Sequence, residues 1–295
     1  MDRQLKAHLS LFIANLIYGA NYTIAKEVMP DYIMPFGFIL LRVIGATFLF
    51  WTLHLFYKKE TILNKDYGKL AICGLFGVAI NQLLFFKGLD MSTPINAAII
   101  MTANPVMVLI FAAIIIREAI TIRKSMGILL GLSGAALVIL QNAAFSISSE
   151  THLGDLLVFI NATSYALYLV LVKPLMAKYH PITIIKWVFL FGLIYVFPFG
   201  YSELHQVSWT SMPPIIIGCV LFVVIGTTFF AYLFNIVALK ELSPSIVSYY
   251  IYLQPILATV FALVLGKDEI DLVKIMGSML IFSGVFLIST PSQKS

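Results

Sequence analysis

Charge is what this chain has least of. Asp, Glu, Lys and Arg make up 11% of its 295 residues, against 60% hydrophobic residues and a mean hydropathy of +0.97. A soluble domain carries about twice that charged fraction, so an ordinary water-soluble fold is excluded. Cysteine is nearly absent. Cys73 and Cys219 each sit inside an apolar stretch, as small packing residues and not as a disulfide framework. His8, His54, His152, His180 and His205 are scattered over span ends and loops, and no pair has metal-ligand spacing. No glycine-rich phosphate loop is present, so direct drive by ATP is excluded and no cofactor is expected. Every Asp and Glu falls in a loop or at the end of an apolar run. This disfavours cation/proton antiport, which needs a membrane-embedded carboxylate shared by proton and cation. It also disfavours a membrane-embedded enzyme, which would gather His, Asp, Glu or Cys at one depth; no catalytic residue is expected.

What is there is apolar length. A helix needs about 20 mostly apolar residues to cross the hydrocarbon core. Such runs fall near 7–26, 33–57, 68–88, 94–116, 122–141, 154–174, 182–201, 213–239, 244–265 and 271–290. The first run lacks a small-residue cleavage pattern and is read as a working helix, not a signal peptide. The loops are short and end in turn formers or charge, as in Met29-Pro30-Asp31, Ser92-Thr93-Pro94 and Ser211-Met212-Pro213-Pro214. Net charge is +5, but the basic residues lie between apolar runs, which points to a bilayer face and not to nucleic acid. With the N-terminus inside, 14 of the 19 Lys and Arg fall on the cytoplasmic side, 4 fall outside, and Arg42 lies within a span. Both termini are therefore placed in the cytoplasm of a multi-pass protein of the cell (plasma or inner) membrane.

The chain repeats itself. At an offset of 150 residues Pro94 meets Pro244, Pro105 meets Pro255, Lys124 meets Lys274, Met126-Gly127 meets Met276-Gly277, and Ser133-Gly134 meets Ser283-Gly284. Leu89 and Leu239 match in the same register, with no gap. Earlier in each half the offset is 147, with Tyr18 on Tyr165 and Lys26 on Lys173. Apolar composition does not readily produce coincident Pro, Lys, Met-Gly and Ser-Gly. The units are residues 1–141 and 154–295, joined by a connector at 142–153. Each holds five helices, an odd number, so the second copy enters the membrane from the opposite face. The fold class is all-α integral membrane, ten helices in a 5+5 inverted-topology repeat around a central cavity, a plan typical of alternating-access transporters.

The stretch Pro94…Asn104-Pro105…Arg117-Glu118-Ala119-Ile120-Thr121…Met126-Gly127…Ser133-Gly134-Ala135 resembles the EamA family of the drug/metabolite transporter superfamily. So do its second copy, Pro244…Gln254-Pro255…Asp268-Glu269-Ile270…Met276-Gly277…Ser283-Gly284-Val285, the segment Tyr18-Gly19-Ala20-Asn21-Tyr22…Lys26, and Arg42 within Leu40-Leu41-Arg42. The resemblance covers essentially the whole chain. It implies ten helices, a cavity between halves, and export or exchange of small metabolites. Two departures, Asp268-Glu269 opposite Glu118 and Tyr18 where many members carry Trp, leave the substrate class open.

Paired prolines near mid-helix, Pro105 and Pro255, remove a backbone donor and should kink their helices, either shaping a central site or only the bundle. Arg42 lies about 9 residues, roughly 14 Å, from the outer end of its helix. Insertion at that depth costs about 2.5–3.5 kcal/mol. It serves either as counter-ion to a carboxylate-bearing substrate or as a structural arginine bonded to helix carbonyls. Asn15, Tyr18 and Tyr22 share a helix face, as do Asn161, Tyr165 and Tyr168, and as do Ser245, Ser248, Tyr249 and Tyr252. These polar faces either bond neighbouring helices or line the cavity. Asn81, Gln82, Thr227, Tyr232 and Asn235 are further candidates, whereas Tyr201 and Tyr250 read as interfacial belt residues. Glu118 and Asp268 occupy equivalent repeat positions and are expected to cap and to pair in their loops with Arg117, Arg123, Lys267 or Lys274, not to touch substrate. The expected function is alternating-access export or exchange of amino acids or similar amphipathic solutes, with multidrug or cation efflux as the alternative. The expected partners are a small-molecule substrate and the lipid bilayer, not nucleic acid. A duplicated chain holds both halves, so a monomer suffices. A scaffold would need neither mid-span prolines nor inward polar faces.

Overall fold

In a bilayer, backbone amides find no water, so apolar runs coil into helices that bond internally. A computed structural model of the chain describes residues 3–57, 60–91, 100–140, 152–254, 256–257, 260 and 272–289, and among these there is no strand. The helices are α1 (Arg3–Lys26), α2 (Pro35–His54), α3 (Asn64–Gly74), α4 (Asn81–Met91), α5 (Asn104–Ile115), α6 (Ile122–Leu140), α7 (His152–Val172), α8 (Pro181–His205), α9 (Pro214–Leu221), α10 (Ala231–Glu241), α11 (Pro244–Tyr249) and α12 (Leu272–Ser289). Proline opens α2, α8, α9 and α11, where its missing N–H has no helical partner in any case. The Ser243 side chain accepts the Ile246 N–H at the start of α11. Two π-helical segments, Leu75–Ile80 and Phe222–Phe230, carry α3 into α4 and α9 into α10 as continuous rods. Five stretches of the described residues are long and apolar enough to cross a membrane: Pro35–His54, Asn64–Gly88, His152–Ala177, Pro181–His205 and Pro214–Glu241.

The packing follows the repeat. Equivalent helices lie against one another, α2 along α8 and α6 along α12, while α4 packs on α7 and α1 packs on α10. Some residues meet their own equivalents. Gln82 Nε2 donates to the Tyr232 hydroxyl at 3.4 Å, and the Tyr252 hydroxyl donates to the Thr102 carbonyl at 3.1 Å, each pair separated by 150 positions. A residue can touch its own equivalent only near a two-fold axis relating the copies. Off that axis, contacts come in mirrored pairs. Asn104 Nδ2 donates to the Ala162 carbonyl at 2.7 Å, and Gln254 Nε2 donates to Asn15 Oδ1 at 3.1 Å. Asn104 and Gln254 are related by the 150-residue offset, and Asn15 and Ala162 by the 147-residue offset.

The α6–α12 crossing is the tightest expression of this symmetry. A Cβ on Gly134 would stand 2.5 Å from the Gly277 carbonyl oxygen, and one on Gly284 would stand 2.8 Å from that of Gly127. Gly127 is equivalent to Gly277 and Gly134 to Gly284, so the four pair crosswise. The Tyr249 hydroxyl fills the remaining gap, 1.8 Å from where a Gly284 Cβ would lie.

At the end of α5 the Glu118 N–H reaches back to the Ala112 carbonyl at 3.0 Å, a Schellman closure that places Arg117 at φ 56°. Glu118 pairs with Lys124 at 2.8 Å, because the turn brings Lys124 back over it, while Lys267 and the Lys274 side chain lie outside the described residues. Replacing Arg117 by Gly should raise stability by about 1 kcal/mol by relieving the left-handed backbone. Gly284→Val should cost about 2–3 kcal/mol through overpacking. Thermal unfolding in detergent checks both. An unchanged Tm for Gly284→Val would mean that α6 and α12 do not touch there.

Candidate functional site

The π segments decide where polar side chains go. A π turn breaks the regular ladder of backbone hydrogen bonds, and such turns recur at functional sites. In the first segment and just past it, side chains of the second copy take over. Ser164 Oγ donates to the Phe76 carbonyl at 2.7 Å, the Tyr232 hydroxyl to the Gly77 carbonyl at 3.4 Å, and Asn161 Nδ2 to the Asn81 carbonyl. The ring of Tyr168 lies over Gly77, where a Cβ would come to 2.5 Å. Asn81 Oδ1 reaches the Tyr232 hydroxyl at 3.5 Å. Asn161 and Tyr168 are therefore held against the broken rod by bonding and packing between helices.

Arg42 sits beside this cluster and is 5% exposed. Its Nε donates to Thr228 Oγ1 at 3.0 Å, and that hydroxyl donates in turn to the Val223 carbonyl at 2.8 Å within the second π segment. The guanidinium carbon stands 5.6 Å from the centroid of the Phe86 ring, a cation–π contact. Tyr232 and Tyr18 are the groups that interact with it electrostatically, and Tyr18 in turn interacts with Tyr165 and Tyr168. Among the described residues no carboxylate lies within ion-pairing distance of Arg42, and Nε is its one nitrogen with a hydrogen-bond partner. The buried Oδ1 of Asn161 and Oε1 of Gln82 also lack a partner among these residues. The 147-residue offset puts Phe189 in the equivalent place of the second copy, with its ring edge-on to Tyr232 at 5.1 Å. The scaffold is symmetric here but the charge is not.

The expected site residues divide into groups. Tyr18, Arg42, Asn81, Asn161, Tyr165 and Tyr168 come together with Gln82 and Tyr232 around the axis. Asn235 Nδ2 joins them, 3.5 Å from the Tyr18 hydroxyl. Asn15 lies further along α1, bonded to the Leu11 carbonyl and to Gln254. Ser248 turns back to the Ser245 carbonyl, and Tyr249 is packed into the α6–α12 crossing. Tyr252 bonds across the axis to Thr102. The Tyr22 side chain and Pro255 lie outside the described residues. Pro105 occupies the first turn of α5, and the chain leaves the helix just before it, at Thr102–Ala103, giving an interruption where the sequence implied a kink. On the other side of the axis, Tyr250–Tyr252 tighten into a 3-10 turn. Tyr250 is buried against His8, with its hydroxyl 2.8 Å from His8 Nδ1, and is not a belt residue; Tyr201 is exposed.

Of the two adjacent threonines in Phe222–Phe230 the sequence singles out Thr227, while Thr228, the one bonded to Arg42, carries no periodic signal of its own. Asn104 and Gln254 could have been found, since each precedes a repeat-matched proline.

A membrane-embedded bundle with a polar cluster on its internal two-fold axis is the frame of a duplicated carrier. The chain belongs to the EamA-like transporter family, whose model matches it twice, over residues 5–140 and 152–290. It is 26% identical over 291 residues to the uncharacterized transporter YyaM of Bacillus subtilis, covering 96% of this chain and 94% of that one. It is also 26% identical over 303 residues to the uncharacterized inner membrane transporter YicL of Salmonella typhimurium, covering 100% and 98%. A solved crystal structure shares the fold with a TM-score of 0.80 at 18% identity, over 96% of both chains. The protein is a membrane transporter of this family.

Thr228→Val should lower stability by about 1–3 kcal/mol, because it strips the acceptor from a buried charged donor. Arg42→Met combined with Thr228→Val should cost less than the two single changes added together. Unfolding midpoints in detergent test this, and strict additivity would mean that the two side chains do not interact.

Proposed function

We propose that this transporter has ten spans with both termini in the cytoplasm, and that it exports or exchanges small amphipathic metabolites across the cell membrane by alternating access. Amino acids and similar carboxylate-bearing solutes are the substrate class, and the monomer is the working unit. The observation that carries this reading is Arg42, a buried cation with one hydrogen-bonded nitrogen and no carboxylate among the described residues, set among tyrosines and amides on the axis. A desolvated guanidinium favours an anion with two oxygens, since its planar fork matches a carboxylate. The tyrosines beside it offer an amphipathic wall to the rest of the solute. A five-helix repeat supports the inverted arrangement, in which exchanging the conformations of the halves turns an outward-open site inward.

Multidrug or cation efflux is the second reading. The paired rings of Tyr165 and Tyr168, 5.9 Å apart, favour it, while the Arg42 charge opposes it.

The test is export from cells loaded with dipeptides, which release amino acids inside. Wild type should accelerate the appearance of amino acids outside. Arg42→Ala should reduce that rate at least about tenfold, a loss of about 1.4 kcal/mol, and Arg42→Lys should retain part of it. Equal export by folded, membrane-inserted Arg42→Ala and wild type would remove the carboxylate role. Movement of cationic drugs in place of amino acids would support the second reading.

A further inference from the structure

Lys186 is a charge that the transport reading leaves unused. It stands on α8 five residues past Pro181, about 8 Å along the axis, and is 7% exposed. Its ammonium lies 4.8 Å from the centroid of the Trp51 ring and 5.7 Å from that of Trp187. The two indoles meet edge to face at 5.3 Å, and Tyr67 backs Trp187 at 5.0 Å. The rings hold the ammonium in place but satisfy none of its N–H groups. Among the described residues Lys186 makes no hydrogen bond or ion pair, and neither indole N–H finds an acceptor. Glu60 is the carboxylate that interacts with Lys186 at longer range, and it is already engaged by the His180 N–H at 2.9 Å.

The cluster therefore presents donors without acceptors, three from the ammonium and one from each indole. Its missing partner accepts hydrogen bonds and carries negative charge. Position narrows the class further. Trp51 lies three residues before the end of α2, and Trp at helix ends marks headgroup depth. Around it Phe48, Leu55 and Phe56 are 69%, 77% and 82% exposed, an apolar apron facing outward. A free anion would have no use for that apron, whereas acyl chains would lie along it.

We propose that Lys186, Trp51 and Trp187 hold the phosphodiester of one anionic phospholipid in the leaflet at this end of the molecule. The ammonium pairs with the phosphate and the indole N–H groups donate to its oxygens. The chains run over Phe48, Leu55 and Phe56. A headgroup bearing its own cation would be repelled by Lys186, so phosphatidylglycerol is held in preference to phosphatidylcholine. This site needs only a membrane protein and does not depend on which solute is carried.

The experiment is native mass spectrometry of the purified full-length protein titrated with each of the two lipids, alongside thermal unfolding in detergent. Wild type should retain one phosphatidylglycerol under conditions that strip the others, and should retain no phosphatidylcholine there. Lys186→Met should lose that lipid and Lys186→Arg should keep it. Equal retention by Lys186→Met and wild type would overturn the site. Displacement of the lipid by millimolar inorganic phosphate would show a free-anion site and overturn the lipid assignment. Should Lys186→Met fail to fold, the paired change Trp51→Phe and Trp187→Phe keeps the rings and removes the indole donors. It should weaken phosphatidylglycerol binding about tenfold, and unchanged binding would overturn the proposal as surely.

Discussion

A helix that departs from α geometry inside a bilayer must pass its freed carbonyls to another donor, because neither water nor lipid supplies one. Here much of that supply comes from the other copy of the repeat. The carbonyls of Phe76, Gly77 and Asn81 are met by Ser164, Tyr232 and Asn161, and that of Thr102 by Tyr252. Each first-copy break is thus closed by a second-copy side chain. The first copy could not keep its interrupted rods alone without leaving polar groups buried and unpaired, which costs about 1–3 kcal/mol each, whereas in the second copy Thr228 closes on the Val223 carbonyl of its own segment. The interruptions and the pairing of the halves are one device.

Much of this was legible beforehand. The offsets of 150 and 147 residues announced the duplication, and Pro105 marked one place where a helix is interrupted. A period states which residues are equivalent, but it cannot state which of them meet. That Gln82 faces Tyr232 depends on where the two-fold axis runs, a property of helix packing that no sequence interval encodes. The inward amides and tyrosines of α1 and α7 were visible from their spacing, yet their partners were not. Asn161 bonds the backbone carbonyl of Asn81, just past a π segment that leaves no pattern beyond an unremarkable apolar run. Lys186 meets the ring of Trp51, a residue too distant in sequence for any local spacing to pair the two.

Symmetry in the scaffold throws the asymmetry of its chemistry into relief. Arg42 and Phe189 occupy equivalent places in the 147-residue register, one charged and one aromatic, and each interacts with Tyr232. Under the proposed exchange of conformations between the halves, the charge would stay on one copy throughout. A solute bound at Arg42 would meet the same guanidinium from either membrane face, but along paths lined by different side chains.

The crosswise glycines of α6 and α12 carry a consequence for the history of the chain. Gly134 answers to Gly277 and Gly127 to Gly284 at distances that leave no room for a methyl group. After a duplication, two copies are ordinarily free to drift apart. At Gly127, Gly134 and Gly284 a side chain can be added only if its neighbours yield at the same moment, so these positions are held while the rest is free to diverge. The clearest matches between the halves thus record mutual contact as much as common descent.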